Sequence, residues 1–442
     1  MTRCIVRLLI VLALVPLVAS RAAAYADEIL NGVQPGDLPL ERPMTFEPVL
    51  NLKTAQAART PGAGNICHGW TLVGWGTKLL PAYPNYPFTE YWLWTAAQDK
   101  RSKPMAFRIA GQYPYARFSS FQTYSPTHTV ALLHADIIPD EGSVNPTRIG
   151  ADRYAENRSY TVWFVPAGSA RAGKPNTIVM PADISATNLI LRILRPDKGK
   201  PHGGVPLPTI EAFDEMTGES VACPRKTPPT GVFRPVSIRK LLAAIPSPQD
   251  PISVYRFTGE RYVPNQEAKF LAARLDFPYE RKIAALRFKI PTFPDTYSNP
   301  ATVITGKEDT RYTGICVHGL IGTLTSECLA DDELKKDPEG FANLIVGPED
   351  KTLRHMAEAR GYNYLSWKRM RVPLIAYRQV FPRDDFAGSI DKVPIYDPNL
   401  PNDQQRAENF MGPYAPIGHV CSAKEFLAGS NCGLPTLSSS AQ

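Results

Sequence analysis

Proline is the residue that most constrains this chain. It occurs 43 times in 442 residues, about twice the usual frequency, whereas the 30 glycines are an ordinary number. Proline lacks a backbone N–H and clashes with the preceding helical turn, so it suits turns, bends and edge strands better than helix interiors. Glycine does not recur at every third position, which excludes a collagen-like chain. The composition therefore favours short strands joined by proline-bearing turns over a helical bundle.

The N-terminus has the pattern of a secretory signal peptide. Arg3 and Arg7 precede an apolar run over residues 8–19, and Ala24-Tyr25-Ala26 supplies a small-x-small cleavage pattern. The run is shorter than the roughly 20 apolar residues that a membrane span needs, and no other segment is long enough. We therefore predict a signal peptide over residues 1–26, no transmembrane segment, and an exported protein that is periplasmic or extracellular.

The charge of the mature chain argues against nucleic acid as a partner. Arg3, Arg7 and Arg21 leave with the signal and no acidic residue does, so the formal charge falls by three, from +7 to +4. The remaining basic residues are interleaved with acidic ones, and the densest cluster is only residues 368–371. Nucleic-acid binders usually concentrate such residues on one face. We expect no nucleic-acid binding.

The mature chain keeps an even number of cysteines, which suggests disulfides in an oxidising compartment. They are Cys67, Cys223, Cys316, Cys328, Cys421 and Cys432. Fifteen connectivities are possible. Loop closure is easiest between near neighbours, which favours Cys316 with Cys328 and Cys421 with Cys432, and leaves Cys67 for Cys223. No pair has the spacing of a zinc or iron–sulfur site, and we expect no cofactor.

Short apolar runs bounded by turn residues predict that the first half of the mature chain is a β-sandwich. Four such runs cover residues 118–124, 130–138, 160–165 and 189–194. In residues 160–165 an apolar set alternates with Trp163 and Val165, which predicts a strand covered on both faces, whereas residues 189–194 predict one buried face. We place this β-sandwich domain over residues 61–223, after a surface-wrapping segment over residues 27–60.

A proline-rich linker over residues 224–235 is predicted to lead into a second, β-rich domain over residues 236–442. Ser237 and Pro246 bracket a predicted helix over residues 237–245. A second helix is predicted over residues 348–360, with Pro348 in its first turn. The fold class is thus mainly β, with a few short helices. No internal repeat is evident, because residues 66–69 and 315–319 share only four residues around an insertion.

Common catalytic motifs are absent from the sequence. It contains no Gly-x-Ser-x-Gly elbow, phosphate-binding loop, His-Glu-x-x-His helix, dinucleotide-binding glycine pattern or complete EF-hand loop. His202-Gly203-Gly204 is similar to an oxyanion-hole segment, but without the serine elbow it is better interpreted as a rigid turn. Whether the protein is an enzyme stays open at this point.

Four residues are weak candidates for a metal site. His134 and Asp136 would share one face of a strand, and Asp140 and Asn145 lie in an oxygen-rich loop. A hydrogen-bonded pair explains the first two more simply, and the capping of turns explains the second two. We predict no bound metal.

The segment richest in aromatic residues is the best candidate for a ligand site. Residues Trp70, Trp75, Tyr91, Trp92 and Trp94 lie within 25 residues of one another, between prolines. Such rings can stack on a sugar or line an apolar pocket, but they can equally fill the end of a sandwich core. We take these five residues and Arg117 as candidate ligand-binding residues, with catalytic residues unknown.

Part of the first domain resembles a bacterial family. Residues 115–124, 139–146, 192–196 and 203–208 together resemble exported β-sandwich proteins that carry a domain of unknown function. The resemblance covers about residues 117–209. It implies a β-sandwich fold and supplies neither an activity nor catalytic residues.

Three functions are compatible with these observations. The leading hypothesis is an exported protein that binds an apolar or carbohydrate-like ligand, a small molecule or glycan, through its aromatic segment. The alternatives are a cofactor-free envelope hydrolase or lyase, which needs an interdomain cleft with two titratable groups in reach of each other, and an envelope structural or interaction protein.

Overall fold

A computed structural model describes most of the chain after residue 65. The described residues are 66–67, 69–73, 88–97, 104–124, 129–180, 186–224, 243, 245–247, 250–256, 266–275, 282–319, 325–368, 370 and 372–436. All of them belong to one compact unit, residues 64–442. The predicted signal peptide, the segment 27–60, nearly all of the linker and most of the predicted helix 237–245 lie outside the described residues.

The first half of the described chain is a sandwich of two β-sheets. Its strands are β1 (Thr71–Val73), β2 (Thr89–Ala97), β3 (Met105–Gln112), β4 (Ala116–Tyr124), β5 (Thr129–Leu133), β6 (Ser159–Val165), β7 (Thr177–Val179), β8 (Ala186–Pro196) and β9 (Thr209–Asp214). Sheet A has the order β1-β2-β8-β4-β5, and sheet B has the order β7-β6-β3-β9. All pairs are antiparallel except β6 with β7. We call β1–β9 the first sandwich.

The second half forms another sandwich. Its strands are β10 (Tyr255–Arg256), β11 (Ala268–Arg274), β12 (Lys282–Lys289), β13 (Tyr312–Gly319), β14 (Thr325–Ala330), β15 (Phe341–Gly347), β16 (Asn363–Ser366), β17 (Pro373–Val380) and β18 (Ile417–Ser422). Sheet C has the order β10-β11-β17-β13-β14, and sheet D has the order β16-β15-β12-β18. The described helices are α1 (Lys351–Ala359), α2 (Glu408–Met411) and α3 (Ala423–Leu427), with short 3₁₀ turns. The fold is therefore mainly β, as the sequence predicted.

The two sandwiches have one topology. Adding nine to each strand number of sheets A and B gives the strand orders of sheets C and D, and the parallel pair β6–β7 becomes the parallel pair β15–β16. Backbone detail repeats as well. Arg195 and Phe381, which follow equivalent positions of β8 and β17, have φ angles of 50° and 49°. Their N–H groups donate to the carbonyls of Phe88 and Glu267, which precede β2 and β11.

This repeat corrects the expectation that the chain has none. The four matched residues noted in the sequence do not mark it, because Cys67 bonds through its N–H to Ile210 in β9, whereas Cys316 lies within β13. The repeat is carried by strand order and register, not by sequence identity.

Each sandwich has its own apolar core. Phe107, Val162 and Leu191 are among the residues buried between sheets A and B. Leu286, Ile315 and Leu344 are among those buried between sheets C and D. Alternating strand residues supply both cores, because successive side chains in a strand point to opposite faces.

The outer faces of sheets A and C pack against each other, and we call this interface the seam. Its apolar part contains Phe118 and Leu194 from sheet A, and Tyr312 and Val380 from sheet C. These residues correspond in pairs, since Phe118 lies opposite Leu194 in the sheet and Tyr312 lies opposite Val380. The seam therefore has the reciprocal character of a two-fold dimer interface.

Three disulfides join described cysteines. Two are the near-neighbour pairs that loop closure favoured, and the other is the pair that remained by elimination. They join Cys67 to Cys223, Cys316 to Cys328, and Cys421 to Cys432. The first closes the end of the first sandwich, the second links β13 to β14, and the third ties β18 to the segment after α3.

Several local predictions need correction. The outward residues of β6, including Thr161 and Trp163, are half-exposed, so that strand is not covered on both faces. Strand β8 is buried on both faces, because its outer side lies in the seam. The strand predicted over residues 130–138 ends at Leu133 and continues as a 3₁₀ turn, His134–Asp136.

The predicted helix 348–360 is confirmed as α1. Asp350 caps it by accepting hydrogen bonds from the N–H groups of Thr352 and Leu353, at 2.8 and 3.0 Å. Gly361 has a φ of 79° and provides the left-handed exit. Pro348 stands before the helix, not in its first turn.

Candidate functional site

A cavity of about 330 Å³ lies at one end of the seam. Its lining consists of Phe88, Arg195, Pro196, Asp197, Gly199, Lys200, Pro201 and Tyr297. Most of these residues come from the segment that follows β8. Tyr297 comes from the long connection between β12 and β13, so both sandwiches contribute to one wall. The volume is within the range of small-molecule sites.

Arg195 is held rigidly in the cavity wall. Its guanidinium carbon lies 3.7 Å from the ring centroid of Tyr297 and 4.7 Å from that of Phe88. Its Nε and Nη2 donate to Asp332, and Nη2 also donates to Glu333 at 3.1 Å. Burial opposes ionisation of Asp332, but the hydrogen bonds from Arg195 and the charges of Arg117 and Arg195 lower its pKa. Two aromatic rings and a fixed cation therefore form one surface of the cavity.

The lining also carries Asp197 and Lys200. Both oxygens of Asp197 accept hydrogen bonds from Arg153, at 2.8 and 2.9 Å, while burial raises the pKa of Asp197. Lys200 is exposed, and its Nζ lies 5.0 Å from the ring centroid of Tyr115. The ion pair with Arg153 neutralises Asp197, so Lys200 is the lining charge that faces solvent.

The structure divides the predicted aromatic segment into core and surface residues. Trp94 is buried and packs on Phe107 at 4.9 Å between ring centroids, so it is a core residue. Tyr91 is buried beneath the guanidinium of Arg192, whose carbon lies 5.8 Å from the ring centroid. Trp75 lies outside the described residues.

Two tryptophans of the segment are half-buried. Trp70 donates its Nε1–H to the carbonyl of Pro208 at 2.7 Å. Trp92 donates to Glu90 at 3.1 Å, and its ring meets the ring of His202 at 5.3 Å. His202 also lies 2.9 Å from Glu90 through Nδ1 and directly follows Pro201 of the cavity wall. Trp92 is thus close to the cavity without lining it.

Arg117 does not face solvent. It is completely buried, and its guanidinium binds Asp331 and Asp332 of the second sandwich, the latter at 2.8 Å. The structure places it inside the seam, where it joins the two sandwiches.

The four weak metal candidates are not brought together. His134 is buried and lies 2.5 Å from Ser119 through Nδ1, and burial lowers its pKa to about 3. Asn145 binds the carbonyls of His134 and Ile137 at 2.7 and 2.8 Å, Asp136 is exposed, and Asp140 is partly exposed. No group of three or more metal-ligating side chains occurs among the described residues.

The segment around His202 is a tight turn, as the sequence indicated. Residues Pro201–Gly204 form a 3₁₀ turn in which His202 and Gly203 have φ angles of 56° and 77°. A Cβ on Gly203 would lie 2.3 Å from Cβ of Pro114, so only glycine fits. This turn supplies one wall of the cavity.

The sequence analysis selected none of the residues that line the cavity. Tyr297 contacts Arg195 because the two sandwiches pack against each other. No local sequence pattern predicts a contact between residues so far apart in the chain. The doubled proline content is the only signal nearby, since Pro196 and Pro201 fix the turn after β8.

The comparisons with known proteins give structural likenesses at low identity. A crystal structure of an uncharacterised protein from Burkholderia cenocepacia is 12% identical, with a TM-score of 0.47, over 82% of this chain and 83% of the other. A protein from Vibrio parahaemolyticus is also 12% identical, with a TM-score of 0.37, over 68% and 86%. No protein-family model and no curated protein matches the chain. The family resemblance of residues 117–209 stays a prediction.

Among the described helices, none is long and apolar enough to cross a membrane.

Proposed function

We propose that this chain is an exported binding protein whose ligand, a small carbohydrate-like molecule, occupies the cavity beside Arg195. The observation that carries the proposal is the cavity itself, about 330 Å³, walled by the rings of Phe88 and Tyr297. Ligand sites are concave and combine apolar walls with a few fixed polar groups. The proposal therefore moves the predicted ligand site away from the candidate residues of the aromatic segment, since none of those that are described lines the cavity.

The mixture of groups favours a polar ring compound over a purely apolar ligand. Arg195 is fixed by Asp332 and Glu333, and its Nη1 makes no hydrogen bond to a described residue. Lys200 adds a mobile donor at the rim. Rings for stacking and donors for hydroxyl or carboxylate oxygens are what a sugar requires.

Binding fits this cavity better than hydrolysis. Asp197 is the one carboxylate in the lining, and Arg153 occupies both of its oxygens. A general acid–base mechanism needs a second titratable group in reach. Besides Asp197, the described lining offers Lys200, Arg195 and the hydroxyl of Tyr297, and it holds no second carboxylate.

Export is supported by two independent features. The predicted signal peptide covers residues 1–26, and the three disulfides are typical of oxidising compartments. Secretion of a tagged full-length chain into the periplasm or medium, with loss of residues 1–26 by mass spectrometry, is the expected result.

Titration with a panel of mono- and oligosaccharides, followed by intrinsic tryptophan fluorescence, tests the binding proposal. At least one sugar should bind saturably. Its binding should change the tryptophan emission, because Trp92 packs against His202 in the turn that begins at the cavity wall. Tyr297→Ala should weaken that binding about tenfold or more, equivalent to about 1.4 kcal/mol.

Tyr154→Ala is the matched control, since Tyr154 is 52% exposed and does not line the cavity. The proposal is overturned if no sugar of the panel binds, or if both tyrosine variants bind with unchanged affinity.

A further inference from the structure

The two sandwiches place an arginine at the same position of the repeated topology. Arg117 precedes Phe118 in β4, and Arg311 precedes Tyr312 in β13. Phe118 and Tyr312 correspond, because each lies opposite the equivalent residue of the central strand, Leu194 or Val380. Arg117 and Arg311 are therefore structural counterparts.

The counterpart positions differ in the carboxylates available to them. Arg117 binds Asp331 and Asp332, in the turn that follows β14. The corresponding turn in the first sandwich follows β5 and holds His134 and Ala135 instead. The correspondence rests on register, since Ser120 pairs with Leu133 and Gly314 pairs with Ala330.

Arg311 is consequently a partly buried cation without an acidic partner among the described residues. Its Nη1 lies 3.5 Å from the carbonyl of Thr147, and it forms no ion pair with a described carboxylate. Glu308 is near, but its oxygens accept hydrogen bonds from Thr305 and from the N–H of Gly306 at 2.8 Å. Burial and the charge of Arg153 lower the pKa of Arg311 to about 10, despite the opposing charge of Glu308.

Arg153 supplies a second donor. It lies in the same loop as Thr147, and the N–H of Gly150 in this loop donates to the carbonyl of Ile304, in the segment that leads to Arg311, at 2.8 Å. The Nη2 of Arg153 is bound by Asp197, while its Nη1 is buried without a hydrogen-bond partner among the described residues. The side chain is 5% exposed. A buried, unbonded guanidinium nitrogen costs free energy unless a partner arrives, and guanidinium groups bind carboxylate and phosphate groups strongly.

We propose that Arg311 and Arg153 form a binding site for an external oxyanion, a carboxylate or phosphate group. The ligand would supply to Arg311 the acceptor oxygens that the carboxylates of Asp331 and Asp332 supply to Arg117. Arg311 is only partly buried, so the ligand can approach from solvent. The site is separate from the cavity beside Arg195, whose lining contains neither Arg311 nor Arg153.

Thermal unfolding of the full chain with sodium acetate, phosphate or chloride at constant ionic strength tests the site. Acetate or phosphate should raise the melting temperature saturably, and chloride should not. The preference between the two anions identifies the ligand group. Arg311→Gln should weaken the apparent affinity about 10- to 100-fold, the range of one charge-assisted hydrogen bond.

Arg171→Gln is the matched control, because Arg171 stacks on Trp163 on the outer face of sheet B and has no described carboxylate partner. It should leave the anion response unchanged. The proposal is overturned if neither anion stabilises the protein beyond chloride, or if both variants lose the response equally.

A second variant tests the logic of the repeat without removing a charge. Ala135→Asp introduces a carboxylate at the position equivalent to Asp332. It should raise the melting temperature in chloride and reduce the apparent affinity for acetate or phosphate at least tenfold. An unchanged anion affinity in this variant contradicts the assignment of Arg311 as the binding group.

Discussion

The first and second sandwiches share one strand order but cover their outer sheets differently. In the second, α1 connects β15 to β16 and packs with α3 on the outer face of sheet D, burying Leu353 and Phe426. In the first, the connection from β6 to β7 has no described helix, and Trp163 stays half-exposed beneath Arg171. The same strand order therefore occurs with an outer sheet that faces solvent and with one that helices cover. In both sandwiches the core between the two sheets is built from their inner faces.

The seam shows the opposite pattern, because there the two sandwiches have kept equivalent residues. Arg192 of β8 and Arg378 of β17 occupy corresponding positions, and their guanidinium carbons lie 5.8 and 5.7 Å from the rings of Tyr91 and Phe270. Each also reaches the other sandwich. Arg192 bonds to Glu267 at 2.8 Å and Arg378 bonds to the hydroxyl of Thr89 at 3.2 Å. Because equivalent residues of the two sandwiches have different bonding partners, the same substitution can be made in both and its effects on stability compared.

The largest expected effect concerns the disulfides. Cys67–Cys223 of the first sandwich spans 156 residues of sequence, and Cys421–Cys432 of the second spans 11. Loop-closure entropy predicts that removing the first pair with two Cys→Ser changes lowers the free energy of unfolding by about 5 kcal/mol, and removing the second by about 3 kcal/mol.

Urea unfolding of the two double variants under non-reducing conditions measures both values. An equal or larger loss for Cys421–Cys432 would show that packing around α3, and not loop closure, sets the contribution of that disulfide.

The counterpart arginines should also differ in their effect on the free energy of unfolding. Arg117→Met leaves Asp331 and Asp332 buried without that cation, which costs about 3–5 kcal/mol. Arg311→Met removes a guanidinium that has no described ion pair and should change the free energy of unfolding by less than about 1 kcal/mol. Urea unfolding in chloride buffer measures the free energy of unfolding of both variants. Similar losses would contradict the predicted difference between the two arginines.

Much of the fold could be predicted from local sequence, and most of the site could not. Helix α1 was recognisable because its cap at Asp350 and its exit at Gly361 lie within one short segment. The alternation in β8 predicts that its outer side faces solvent. This prediction is wrong because the residues that cover that side in the seam lie far along the chain. For the same reason nothing in the sequence joined Arg195 to Tyr297, which meet only when both sandwiches have folded.

The buried histidine in the turn after β5 should make the stability of the protein depend on pH. Burial lowers the pKa of His134 to about 3, below its usual 6.5, so the folded state binds fewer protons than the unfolded state. The stability that His134 contributes is complete above pH 6.5 and is lost as the pH falls. We expect a loss of about 3 kcal/mol between pH 7 and 4 from this residue.

His134→Gln should flatten the pH dependence, measured by urea unfolding at each pH. A smaller slope should remain, since burial lowers the pKa of His318 to about 4. His419→Gln, at a side chain that is 57% exposed, is the control and should keep the full slope. An unchanged slope in His134→Gln contradicts the assignment.

The smallest expected effect tests how much the helix that covers sheet D depends on its cap. Asp350→Ala removes the acceptor for the N–H groups of Thr352 and Leu353 and should lower the free energy of unfolding by about 1 kcal/mol. Asp350→Asn keeps an acceptor oxygen and should recover most of the loss. Glu349→Ala, at an exposed neighbour without a cap bond, should change little. If Asp350→Ala is neutral, the packing of Leu353 and Ala357 holds the helix on sheet D, and the cap is dispensable.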